Sequence, residues 1–495
     1  MSVRIQFDKP HAFYTNLDFI SGRIILSLTS DDAVSAIVAK LEGESRTQLR
    51  RPIRPPDNRQ PVVIENHKIL YKISQVFPEP HPANGQNMGS AFTLRAGKHE
   101  YPFRFKIPFN NGCGDPQQQQ MAGFGGLGLS GFQQMQYRHV RKTLPPSLTG
   151  FPGEAEIRYY VKVTVQRPGI FKENRRSAVG FRFLPIEPPR PPPTTNEVYA
   201  RRPFGFQTGL ASYGKKSSMF RKSPKPLSDT APTGEIDARL PSPAILTCNE
   251  PIPLRLIVKK TNQSAENVFL VSLQVHLHGY TEVRALDVSR TETSTWSLMS
   301  ANGLSIPIGS PSDPPLKEIT VDNNLWDRIP LPNTVAPSFQ TCNLARKYEL
   351  EIRAGLGYGV IGEIQPQIIT LPLRFQVEVH SGISPPAALL DAMAQQRPPV
   401  PARPTAQTPT PVSAPAADPL YPPQLGTPAA AVVDDAPPSY EDAMAEDITP
   451  TDGPRREYSG VTDVNAPGMD EKGGGKPPSG GGNGAAGGGG FGAVV

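Results

Sequence analysis

Apolar and polar residues alternate with a period of two along several stretches of the chain, the pattern of strands with one wet and one buried face. In residues 155–166, Ala155, Ile157, Tyr159, Val161, Val163 and Val165 alternate with Glu156, Arg158, Tyr160, Lys162, Thr164 and Gln166. In residues 369–380, Ile369, Leu371, Leu373, Phe375, Val377 and Val379 alternate with Thr370, Pro372, Arg374, Gln376, Glu378 and His380. Val271, Leu273, Val275 and Leu277 alternate with Ser272, Gln274, His276 and His278. Pro372 falls on a polar face, which predicts an edge or bulge position, because Pro cannot donate to a strand ladder. Helical periodicity of a usable length is missing from residues 1–187 and from 240–383.

Further strands are predicted at 3–7, 22–28, 34–49, 64–77, 99–107 and 178–184, and then at 251–260 and 346–359. About seven strands per block of about 150 residues is what a β-sandwich requires. The pattern therefore predicts an all-β protein. One sandwich spans 1–187, interrupted at about 110–150 by a Gly- and Gln-rich insertion expected to be disordered. A Pro-rich basic linker follows at 188–239, then a second sandwich at 240–383. Residues 384–495 are Pro/Ala-rich, then acidic, then Gly-rich, and are expected to form a disordered tail, because little there can offset the entropy of ordering.

Composition sharpens this layout. With 58 Pro and 44 Gly in 495 residues, the composition argues against a single compact globule. Three Cys cannot staple a chain of this length, so a disulfide scaffold is excluded as well. The start MSVRIQFDKPHAF has no apolar core of a secretory signal, which predicts a cytoplasmic protein. No uncharged apolar run approaches the roughly 18 residues of a membrane span. The net charge of +6 hides an asymmetry: residues 383–495 carry 6 basic and 13 acidic residues, so the tail is acidic and the body strongly basic. A basic body favours anionic partners. Nucleic acid is set aside, because no repeated platform interleaves aromatic residues with Arg.

YTNLDFISGRIILSL, followed by VSAIVAKLEGESRTQL, resembles the opening of an arrestin N-terminal domain. LRAGKHEYPFRFKIP (94–108) and AEIRYYVKVTVQRPG (155–169) are similar to later strands of that domain. LPSPAILTCNEPIPLRLIVKK (240–260), YELEIRAGLGYG (348–359) and TLPLRFQVEVHSGI (370–383) look like the start and end of an arrestin C-terminal domain. The resemblance implies two tandem arrestin-like (immunoglobulin-like) β-sandwiches. In the tail, DDAPPSYEDAM selects the α-arrestins, the arrestin-related trafficking adaptors, and the Gly-rich ending points to a fungal member.

For such an adaptor the resemblance implies recruitment of a HECT-type ubiquitin ligase through a PPxY motif, here Pro437, Pro438 and Tyr440. Its WW domains would take the prolines as a preset polyproline II strand and the Tyr440 ring in a neighbouring pocket. LYPPQL (420–425) has its Tyr before the prolines and does not match. The implied cargo is an integral membrane transporter or receptor, and the implied location is the cytoplasm, with recruitment to plasma membrane and endosomes. The alternative is a ligase-independent sorting or coat scaffold of the same fold, like retromer's arrestin-fold subunit. A cytosolic β-sandwich hydrolase is the reading from the enzyme class, and no residue set recommends it.

Arg201, Arg202, Lys215, Lys216, Arg221, Lys222 and Lys225 form an acid-free basic segment, a candidate contact for anionic lipid headgroups. Ser217, Ser218 and Ser223 lie among them as candidate phosphosites that would cancel the attraction. Lys215, Lys216, Lys222, Lys225, Lys259 and Lys260 are candidate ubiquitin acceptors. No catalytic residue, cofactor or metal site is expected. Cys113, Cys248 and Cys342 are far apart and lack metal-ligand spacing. His276 and His278 share a strand face with no carboxylate beside them in sequence, which favours a solvated face. GLGYG (355–359) and GFGGLGLSG (123–131) lack the Lys-Ser/Thr of a phosphate loop, and packing accounts for Trp296 and Trp326.

Overall fold

The computed structural model describes residues 1–8, 13–52, 61–79, 91–113, 142–151, 154–169, 172–192, 194–207, 231–365, 367–395 and 448–450. Its regular structure is almost entirely strand. In the first sandwich, one sheet has the order β1 (Ser2–Phe7), β2 (Phe19–Leu28), β7 (Gly97–Lys106). The facing sheet has the order β10 (Arg175–Phe181), β9 (Ala155–Gln166), β4 (Ala36–Arg50), β5 (Val62–Phe77), with β8 (Leu148–Phe151) added on β9. β3 (Asp32–Val34) and β6 (Phe92–Leu94) form a short pair beside them. The alternation in β9 places Ala155, Ile157, Tyr159, Val161, Val163 and Val165 in the core, as predicted.

The second sandwich opposes a four-stranded and a seven-stranded sheet. The smaller runs β11 (Glu197–Gly205), β12 (Thr233–Pro241), β14 (Arg255–Lys260), β17 (Glu318–Thr320). The larger runs β13 (Ile245–Thr247), β21 (Ile369–His380), β19 (Leu344–Val360), β15 (Asn267–Ala285), β16 (Val288–Ile308). Two-residue strands β18 (Phe339–Gln340) and β20 (Glu363–Ile364) pair with β19. β13 covers only Glu378–His380 of β21, so Pro372 stands where that strand is paired on one side only, by β19. This is the edge position its missing N–H requires. GLGYG is part of β19, where Ser272 Oγ at a β15 irregularity occupies the space a Cβ on Gly355 would need.

Three expected boundaries move. Both ends of the expected insertion of 110–150 belong to the sandwich, since Asn110 bridges Thr143 and Leu148–Phe151 is a strand, and the stretch 114–141 lies outside the described residues. The linker of 188–239 contains two strands of the second sandwich, since Glu197–Gly205 pairs in full with Thr233–Pro241. Tyr199, Arg201 and Arg202 of this strand face solvent, and the basic pair disguised it as linker. The tail does not begin unstructured: helix α1 (Ala387–Gln395) buries Leu389.

Candidate functional site

The hydrophobic core of the first sandwich is completed by the second. Val283 and Ala285 from the end of β15, Cys342 from the turn before β19 and Leu344 at its start are buried in one cluster with Leu41, Ile69, Ile157 and Tyr159. A fully buried aliphatic side chain contributes about 1.5–3 kcal/mol relative to exposure. Separating the sandwiches would expose several at once.

Polar groups fix the angle of this seam. Glu65 on β5 accepts from the Arg284 guanidinium at 2.8 Å and from the Leu286 backbone N–H at 2.6 Å. Leu286 caps the β15–β16 hairpin at φ 54, a left-handed backbone that non-glycine residues rarely adopt. Glu65 thus holds a strained turn of the other sandwich. Arg284 also donates to the Cys342 carbonyl, and Thr47 Oγ1 donates to the Arg284 carbonyl. Ser45 Oγ donates to Asn343 Oδ1 at 2.7 Å, while Asn343 Nδ2 donates to the Ser45 carbonyl at 3.1 Å and to Thr47 Oγ1 at 3.2 Å. Each partner is nearly 300 positions away in sequence.

Beside Glu65 lies a group that sequence spacing concealed. His67 Nε2 meets Glu65 Oε1 at 2.6 Å and His67 Nδ1 meets Cys113 Sγ at 3.2 Å. Cys342 Sγ is 3.7 Å from Cys113 Sγ. The expectation that all three cysteines are far apart holds for Cys248 and fails for this pair, which the seam brings together. Burial pulls the His67 imidazole down, but Cys342 and Glu65 outweigh it and hold its pKa up at about 9. Cys248 lies apart, and burial pushes its thiol up to about 12.

On another side of the seam is a groove of about 800 Å³, lined by both sandwiches, including Phe109, Lys142, Ile186, Arg346, Gln376 and His380. Glu187 at its rim is held by Arg190 at 2.6 and 2.8 Å. Leu17, Phe109 and Ile186 form an apolar cluster with Leu389 of α1 and Ile448. The Ile448 carbonyl accepts from Lys106 Nζ at 2.7 Å.

Most of the residues singled out from sequence lie outside the described residues: Pro437, Pro438, Tyr440, Lys215, Lys216, Arg221, Lys222, Lys225, Ser217, Ser218 and Ser223. Arg201 and Arg202 do not lie in a linker. Both are on β11, where Arg201 forms a two-pronged ion pair with Asp237 at 2.6 and 2.9 Å and Arg202 donates to the Pro372 carbonyl. Lys260 is buried with Nζ on the Ser310 carbonyl, which removes it as an accessible ubiquitin acceptor, and Lys259 pairs with Glu318. His278 is not simply solvated, since β19 brings buried Glu351 to 3.3 Å from its Nε2. Arg374 and Arg353 reach the same carboxylate at 2.8 and 2.9 Å. Burial would raise the Glu351 pKa, but Arg374, His278 and Arg353 together bring it down to about 2. Trp326 is a core residue whose Nε1 donates to the Leu254 carbonyl.

Comparison with known proteins agrees with this architecture. Residues 3–114 match the family model described as Arrestin (or S-antigen), N-terminal domain. Over 132 residues the chain is 28% identical to an Arrestin-related trafficking adapter 10 of Lachancea thermotolerans, a match covering 24% of this chain and 30% of that relative. No helix among the described residues is long and apolar enough to cross a membrane.

Proposed function

We propose that this chain, whose N-terminal region is an arrestin domain, is a trafficking adaptor that brings a HECT-type ubiquitin ligase to integral membrane cargo. The observation that carries the reading is the arrestin match over residues 3–114, in a chain whose tail spells Pro437-Pro438-Ser439-Tyr440. The two sandwiches form the cargo-facing body, and the tail supplies the ligase-binding peptide. The protein contributes no chemistry of its own, and its output is proximity. Ubiquitin transfer then becomes local to the cargo, and endocytosis follows.

The packing of Ile448 supports the idea of a short tether. It follows Tyr440 by eight residues in sequence and is buried against the first sandwich. Eight residues span at most about 30 Å when fully extended. A ligase domain on the motif is thereby kept beside the body, which raises its effective concentration at whatever the body binds. Lys215, Lys216, Lys222 and Lys225 remain the proposed acceptors for ubiquitination of the adaptor itself, and the basic residues around them the proposed contact for anionic headgroups.

The test is ubiquitin-remnant profiling of membrane proteins in cells carrying the wild-type chain or Tyr440→Ala. The reading expects a set of membrane proteins to lose ubiquitination and persist at the surface in the variant. Identical profiles in both strains would count against ligase recruitment and favour a ligase-independent sorting scaffold.

A further inference from the structure

We propose that His67, Cys113 and Cys342 form a zinc site that clasps the two sandwiches together. The three residues come from β5, from the segment after β7, and from the turn before β19, so no spacing motif announces them. Their ligand atoms all lie within 4.8 Å of one another, and all three residues are buried, at 6%, 5% and 8% exposure. A tetrahedral zinc ion with Zn–S of about 2.3 Å and Zn–N of about 2.0 Å sets its sulfurs about 3.8 Å apart and each nitrogen about 3.5 Å from a sulfur. The observed separations are 3.7 Å for Cys113 Sγ to Cys342 Sγ and 3.2 Å for His67 Nδ1 to Cys113 Sγ.

The surroundings are those of a ligand set. Glu65 engages His67 Nε2, which leaves Nδ1 turned toward the sulfurs, the carboxylate–histidine arrangement that orients metal-bound imidazoles. Glu65 is itself fixed by Arg284 and the Leu286 N–H. Charge closes as well: binding releases the two thiol protons and the proton of the His67 imidazolium, and two thiolates neutralise one Zn²⁺ in a buried site. Soft thiolate and imidazole donors select zinc over hard cations. Three protein ligands leave the fourth position to water. Cys113 and His67 belong to the first sandwich and Cys342 to the second, so the ion bonds the halves across the seam.

A disulfide is the competing use of the pair, and it would need the sulfurs to close from 3.7 Å to about 2.05 Å. The experiment uses the full chain, purified under reducing conditions without chelator. Elemental analysis should find one zinc per chain, and cobalt substitution should give thiolate-to-cobalt charge transfer with tetrahedral d–d bands. Cys113→Ser and Cys342→Ser should lose the stoichiometric metal, whereas Cys248→Ser should keep it. Glu65→Gln should keep the tetrahedral spectrum but bind metal about 10–100-fold more weakly, as expected of a positioning residue. Where a serine variant does not fold, thermal unfolding of the wild type decides: its Tm should rise on adding zinc to the chelator-treated chain. The proposal is overturned by a wild-type chain that neither retains zinc nor shows the cobalt bands. Equal retention by Cys113→Ser and Cys342→Ser overturns it too, as does a Cys113–Cys342 cross-link in the unreduced chain.

Discussion

Glu65 and Glu351 are buried carboxylates with the same kinds of partner, a histidine and arginine, yet they hold different things. The partners of Glu351 are His278 on β15, Arg353 on β19 and Arg374 on β21, neighbouring strands of one sheet. Ladder hydrogen bonds already join those strands, so the ion network reinforces a structure that stands without it. Glu65 instead reaches Arg284 and Leu286 of the other sandwich. Every multi-stranded sheet described here is built from strands of a single sandwich, so no strand ladder crosses the seam, which is held by side chains such as Glu65 and by a backbone bond from the Glu187 N–H to the Ile383 carbonyl. The same chemistry is therefore a reinforcement in one place and a joint in the other.

That contrast can be broken most forcefully at Glu65. Glu65→Ala leaves Arg284, the Leu286 N–H and His67 without their shared acceptor, and should destabilise the body by about 3–5 kcal/mol in chemical denaturation. A loss below about 1 kcal/mol would show that the joint lies elsewhere. Asn343→Ala comes next. It strips partners from Ser45 and Thr47, and should cost about 1–3 kcal/mol by the same measurement.

Glu351→Gln should cost only about 1 kcal/mol at neutral pH, because its Arg partners are half exposed and screened. Its signature is the pH dependence. The folded carboxyl titrates near 2, below the ordinary 4.5. Its contribution is therefore complete above pH 4.5 and is lost as pH falls toward 2. Unfolding curves of wild type and variant should converge over that window, and a gap that widens on acidification would contradict the assignment.

How much of this was legible in the sequence differs by scale. The strands with strict alternation, β9 and β21, could be placed almost to the residue, because one face of each is buried and the other wet. β16 was missed, since its Ser- and Thr-rich run has few apolar positions to set a period. β11 was missed because its exposed Arg and Tyr residues resemble a linker. The seam was invisible for a different reason: Ser45 with Asn343, and Cys113 with Cys342, are joined only when two domains close. Single-chain spacing carries no trace of a site assembled that way. The PPxY motif is the opposite case, complete within four residues.

Tyr440→Ala carries the smallest stability effect expected, within about 0.5 kcal/mol, as for a surface change. It is also the variant on which the adaptor reading rests. The most direct measurement is titration of a fluorescent peptide spanning residues 430–447 with the WW domains of a HECT-type ligase, beside the same peptide carrying Tyr440→Ala. The account predicts saturable micromolar binding by the first peptide and its loss in the second. No binding, or equal binding by both, would contradict ligase recruitment through this tail.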